Sequence, residues 1–251
     1  MIELIGNVFQ NTLKYLVVLI VGLAAGYFIV PVIHSMIAEK SLRQSWHELN
    51  ERKIGEKVTG FKDIAAIFIT SLTFILLFIK YGLTAEFVFF SYLMLILIIM
   101  FFVDIETKTI PNTLVLAGLA GSSAVFLYNI FIPLKIYENG KWWQPLLGIL
   151  PGSGLLLIIA IVGLVVYKND EVMGMGDVKI FAPIGIFLGW RMCILSLIIS
   201  IFIGGITSLL LIILKIKGRR DTIPFGPFIT VAAFITIMWG QEIWMWYFSM
   251  L

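Results

Sequence analysis

Met173-Gly174-Met175-Gly176-Asp177-Val178-Lys179 lies between two long apolar runs, one ending near Tyr167 and the next opening at Ile180. A charged aspartate at the edge of hydrocarbon is costly, so its presence calls for a reason. Two glycines ahead of it strip side chains from the backbone leading to the carboxylate, and glycine lets another chain approach closely. The stretch reads as a carboxylate on a bare, accessible turn at a membrane surface. One carboxylate is not a catalytic site, so the rest of the chain must supply a partner.

Around this turn the chain is strongly apolar. Of its 251 residues, 60% are hydrophobic and 13% charged, against about 25% charged in soluble domains. Mean hydropathy is +1.03. The composition gives an all-α polytopic membrane protein and leaves nothing large for a soluble domain. The net charge is only +3. The lipid bilayer is the implied surrounding, and no nucleic-acid partner is expected. Cys193, the one cysteine, sits in an apolar run, so neither a disulfide framework nor a cysteine zinc site can be built. His34 and His47 lack metal-ligand spacing and read as structural or surface residues. No metal site is expected. The N-terminal run has no basic n-region and no small-residue cleavage site, and reads as a retained helix.

A bilayer-spanning helix needs roughly 20 apolar residues. The uncharged runs are 15–33, 64–79, 87–103, 109–134, 142–167, 180–190, 192–214 and 222–241. The fourth and fifth are longer than needed, so their helices are expected to start late. The run 180–190 is short. Cytoplasmic loops collect Lys and Arg, and this bias decides whether the short run crosses. With eight crossings and the N-terminus outside, only Lys14, Lys80, Lys135, Lys141 and Arg191 of the 18 basic residues face outward. If the short run did not cross, the Lys215–Arg220 cluster would change sides and the bias would collapse. About eight transmembrane helices with an external N-terminus are therefore expected. The polar loop 38–62, the one sizeable break, reads as a solvated cytoplasmic segment. The division is 1–62, a first span with its short cytoplasmic loop, and 63–251, a membrane domain that carries the chemistry.

The same topology supplies the missing acid. Val103-Asp104-Ile105-Glu106-Thr107-Lys108-Thr109-Ile110-Pro111-Asn112 closes the third span, which puts Asp104 at its cytoplasmic end. Asp177 opens the sixth span on that face. Two carboxylates brought close cannot both ionise easily and share a proton. Such a pair can activate a water and protonate the leaving amine of a peptide bond. No side-chain nucleophile and no metal is needed, which suits a chain without a Ser/His/Asp set. Glu106 and Lys108 read as ordinary loop charges. Pro111-Asn112 is a helix-start signal.

Taken together the motifs resemble those of the type IV prepilin peptidases. Gly174-Met175-Gly176-Asp177-Val178-Lys179 is similar to that family's GxGDxK signature. Asp104 with Ile110-Pro111-Asn112 resembles its first aspartate and downstream Ile-Pro-Asn/Asp. Ile223-Pro224-Phe225-Gly226-Pro227-Phe228 resembles its C-terminal Pro-Phe-Gly-Pro motif. Presenilin-like proteases share the GxGD element but place their first aspartate in a Tyr-Asp pair, whereas Val103 precedes Asp104 here. The resemblance runs from about Phe61 to the end.

The resemblance implies an intramembrane aspartyl endopeptidase of a bacterial inner membrane, with its active site facing the cytoplasm. It would remove the short basic leader of type IV prepilins or pseudopilins, cutting after a glycine and before the pilin's apolar helix. By the match, Asp104 and Asp177 are the catalytic dyad. Gly174, Gly176, Lys179, Pro111, Asn112, Pro224, Phe225, Gly226 and Pro227 shape the site or meet substrate. Proteolysis needs no cofactor. Bacterial members often also methylate the new N-terminus with S-adenosylmethionine and carry a first loop with two Cys-x-x-Cys zinc pairs. Here loop 38–62 has no cysteine, so no zinc is expected, and methylation is an open extension of the match. Its Glu39, Glu48, Glu51 and Glu56 are the acidic groups that could meet a basic leader. Two rival readings are a small proton- or cation-coupled transporter using the membrane aspartates, and an inactive assembly factor. Transporters tend to hold ionisable groups near the midplane and to show two related halves. Neither feature is evident, and the intact pair argues against lost activity.

Overall fold

The computed structural model describes residues 2–45, 60–137, 141–167, 174–218 and 221–250. Its helices are α1 (Ile2–Ser45), α2 (Phe61–Tyr81), α3 (Ala85–Thr107), α4 (Asn112–Phe131), a short α5 (Gln144–Leu147), α6 (Leu155–Tyr167), α7 (Met175–Ile213) and α8 (Gly226–Ser249). A π-helical turn, Leu150–Gly154, leads into α6. No strand occurs among the described residues. Seven helices among them are long and apolar enough to cross a membrane. Phe28 and Val165 are each 70% exposed, as suits helices that face lipid. The chain is a polytopic all-α membrane protein.

The difference between eight expected spans and seven helices lies in α7. Its 39 residues would extend about 58 Å if straight, near twice the hydrocarbon thickness of about 30 Å. It is not straight: Gly189 has φ 73 and ψ 170, outside helical geometry. Only glycine adopts such a backbone without strain. The runs 180–190 and 192–214 are thus two arms of α7, and they part at Gly189 rather than at Arg191. The break deprives nearby carbonyls of helical donors. The Tyr137 hydroxyl answers them, donating to Ile186 O at 2.5 Å with Phe187 O at 3.2 Å.

Other ends moved for local reasons. Pro111 has φ −62 and ψ 136 and caps α4, so that helix starts at Asn112, later than the apolar run. The run from 142 likewise becomes helical at Gln144. Helix α8 continues past 241 to Ser249, carrying Gln241 and Glu242 within it. Helix α1 continues to Ser45, so the polar loop begins later than 38. His47, Glu48, Glu51 and Glu56 lie outside the described residues.

The chain divides into two compact units, 1–102 and 103–251. In the first, α1 packs on α2. Gly22 and Gly26 form a small-xxx-small pair that lets the backbones close up. A methyl group on Gly22 would come 2.9 Å from Ser71 Cα, and one on Gly26 2.8 Å from Ile67 Cα. His34 Nε2 meets Asp63 Oδ1 at 2.9 Å. Phe87 takes Phe74 and Phe78 edge-on. In the second unit α7 is the hub, contacted by α4, α5, the π turn and α8. Gly148 and Gly185 bring α5 and α7 into backbone contact, so a methyl on either would overlap the other's carbonyl.

Candidate active site

Asp104 and Asp177 both belong to the second unit. Asp104 lies in the last turn of α3 and is buried, with 4% of its surface exposed. The helix stops four residues later because Lys108 adopts φ 50, a left-handed residue at the position where helices commonly end. Its N–H closes on Asp104 O at 2.8 Å. Thr107 Oγ1 bonds back to Val103 O at 2.9 Å. Asp177 is the third residue of α7 and half-buried. Gly174 caps that helix in an extended conformation, and Asp177 N bonds to its carbonyl at 3.1 Å.

Three stretches of chain, far apart in sequence, are tied to one another around these acids. The first is tied to the third through Asp104: Gly226 N donates to Asp104 Oδ2 at 2.8 Å, within buried surroundings. The same two stretches meet again where Lys108 Nζ donates to Thr222 Oγ1 at 3.0 Å. The first is tied to the second where Lys179 Nζ donates to Asn112 Oδ1 at 3.2 Å. Ile110 packs against Gly176, where a methyl would lie 3.0 Å from Ile110 Cβ. Lys108, read from sequence as an ordinary loop charge, is therefore part of this network. So is Thr222, which the sequence reading did not single out.

Each remaining expected residue has a definite place. Gly174 is exposed and faces its own aspartate, a methyl there falling 2.9 Å from Asp177 Oδ2. The room left by Gly176 is taken by Ile110 of this chain. Pro111 caps α4 and is half-buried. Pro224 and Phe225 are half-buried ahead of α8, while Gly226 and Pro227 are buried in its first turn. The Phe225 and Phe228 rings pack against each other with centroids 6.2 Å apart. Both press on Gly204 of α7. Cys193 is buried in α7 against Gly152, and with no other thiol in the chain a cysteine zinc cluster does not fit these residues.

Two acids stand at helix ends that main-chain and lysine bonds tie together, an arrangement suited to acid–base work on water. Comparison with known proteins bears on whose arrangement it is. Residues 91–209 match the type IV leader peptidase family. The match takes in 119 of the 251 residues. The first two motif stretches fall inside the matched residues; the third, 222–228, follows them.

Similar chains carry the same family's name. The "Prepilin leader peptidase/N-methyltransferase" of Aeromonas salmonicida (strain A449) is 30% identical over 154 residues, covering 61% of this chain and 50% of that protein. The one from Legionella pneumophila is 33% identical over 171 residues, 66% and 55% of the two chains. The Bacillus subtilis (strain 168) protein is 27% identical over 199 residues, 79% and 74%. The chain thus spans about half the length of the first two relatives and about three quarters of the third. No solved structure matches.

Proposed function

We propose that this chain is a membrane aspartyl endopeptidase that removes the short basic leader from type IV prepilins or pseudopilins. It works at the cytoplasmic face of a bacterial inner membrane. The observation that carries the reading is the meeting of three separate motif stretches around two carboxylates, one closing α3 and one opening α7. The relatives' printed names supply the substrate class. The Lys and Arg bias of the loops supports the cytoplasmic side.

Asp104 and Asp177 hold a water between them. The ionised carboxylate takes a proton from that water, whose oxygen bonds to the scissile carbonyl carbon. The neutral carboxyl gives its proton to the carbonyl oxygen. The resulting diol collapses as the leaving nitrogen is protonated and the C–N bond breaks. The pilin's apolar helix lies in lipid beside the enzyme, which brings the bond just ahead of it to the membrane rim. Lys179 and Asn112 tie α7 to α4, and Pro111, Pro224, Phe225 and Pro227 stiffen the rim. Gly174 leaves the Asp177 turn open to a substrate backbone.

Co-expression with a prepilin in membranes tests the reading through the size shift of leader removal. An inserted chain that leaves every offered prepilin uncut would overturn it. The mass of the released N-terminus also shows whether a methyl group is added. No step above depends on S-adenosylmethionine.

A further inference from the structure

We infer that the main-chain N–H of Gly226 is a positioning group for Asp104, making Asp104 the fixed carboxylate of the pair. The inference rests on the peptidase reading of the dyad. Gly226 is the first residue of α8, so its N–H has no acceptor within its own helix. It is spent on Asp104 Oδ2 at 2.8 Å in a buried setting. The N-terminal end of a helix carries partial positive charge, and an N–H bond to a carboxylate is stronger than one between neutral groups.

Two further observations show that the contact is built in. A methyl at 226 would lie 2.7 Å from Asp104 Oδ2 and 3.1 Å from its Cβ and Cγ, so the α8 backbone reaches the acid only because residue 226 is glycine. The Lys108–Thr222 bond at 3.0 Å ties the same two segments a second time, one turn from Asp104 along the chain and four residues ahead of Gly226. Asp177 differs: its side chain has no hydrogen-bond partner among the described residues. One acid is held by a helix end, and among the described residues no such bond holds the other. The third motif stretch is then a component of the dyad.

The test replaces Gly226 with glycolic acid during cell-free synthesis into bilayer nanodiscs. This turns the amide into an ester, deleting the donor without adding a side chain. The substrate is a short basic leader ending in glycine, followed by an apolar pilin helix. The positioning role predicts a kcat about 10- to 100-fold lower, as for other groups that orient a catalytic ligand. KM should stay within about twofold of the parent, because ground-state binding is untouched. An ester chain with parental kcat, or one changed in KM alone, overturns the inference. Gly226→Ala should lose at least as much, whereas Gly205→Ala, whose methyl would meet nothing within 4 Å, should cut like the parent. If the ester chain does not insert, Thr222→Val decides: a lower kcat at unchanged KM supports the tie, and an unchanged kcat overturns it. An unmodified chain that leaves the prepilin whole would instead remove the peptidase reading itself.

Discussion

Tyr137→Phe is the sharpest test of how α7 is built. The substitution keeps the ring and removes one hydroxyl. That hydroxyl has a single proton, donated to Ile186 O at 2.5 Å and shared in part with Phe187 O at 3.2 Å. Tyr137 is 4% exposed, so water does not readily replace the lost donor. A buried carbonyl left without a partner costs about 1–3 kcal/mol. The middle of that range, about 2 kcal/mol, changes the folding equilibrium roughly 30-fold. The assay is thermal unfolding of the purified chain in one detergent, followed by protease resistance. The phenylalanine chain should unfold at a lower temperature. Alkali sharpens the comparison. Burial pushes the Tyr137 phenol up from its usual value. The unfolded chain therefore releases this proton at about pH 10 while the folded chain retains it. The stability that Tyr137 contributes is complete below about pH 10 and falls as pH rises beyond it. Tyr137→Phe should lack that component of the alkaline decline. Equal unfolding temperatures at neutral pH, together with identical alkaline curves, would refute the idea that Tyr137 answers the break at Gly189.

Two further outcomes follow from the packing and the ties. Gly185→Ala should abolish a stable chain, because the added methyl overlaps the Gly148 carbonyl, while Gly205→Ala meets open space and should express normally; equal yields would contradict the backbone contact of α5 with α7. Lys179→Met removes an exposed bond to Asn112 and should shift unfolding by no more than about 0.5 kcal/mol. It should lower the kcat for leader removal; full activity would show that the tie does not hold the α7 end in place.

Much of this was legible in the sequence because lipid enforces simple rules. The apolar runs located the long helices, Pro111 marked the late start of α4, and two acids at span ends marked the candidate site. Chemistry written in side-chain type was readable; chemistry written in the main chain was not. The Gly226 donor is a backbone N–H that any residue except proline possesses, and its only trace in the sequence is the missing side chain. Lys108 looked like a loop charge because nothing local indicates a partner at Thr222, 114 residues on. In the sequence the charge of Arg191 separates the two runs, whereas the backbone of α7 breaks at Gly189, where it can turn. The uncharged run ends at Gln241, ahead of Glu242, yet α8 continues to Ser249. At a membrane boundary polar residues also extend a helix into the headgroup region.

The central claim is that two distant acids act together on one peptide bond. Its most direct test is mass spectrometry of a prepilin incubated in membranes with the parent chain, with Asp104→Asn and with Asp177→Asn, each confirmed as inserted. The account predicts that the parent releases the leader at the bond after its terminal glycine and that each single variant leaves the precursor mass unchanged. A precursor trimmed at that bond by either variant at the parental rate would contradict it.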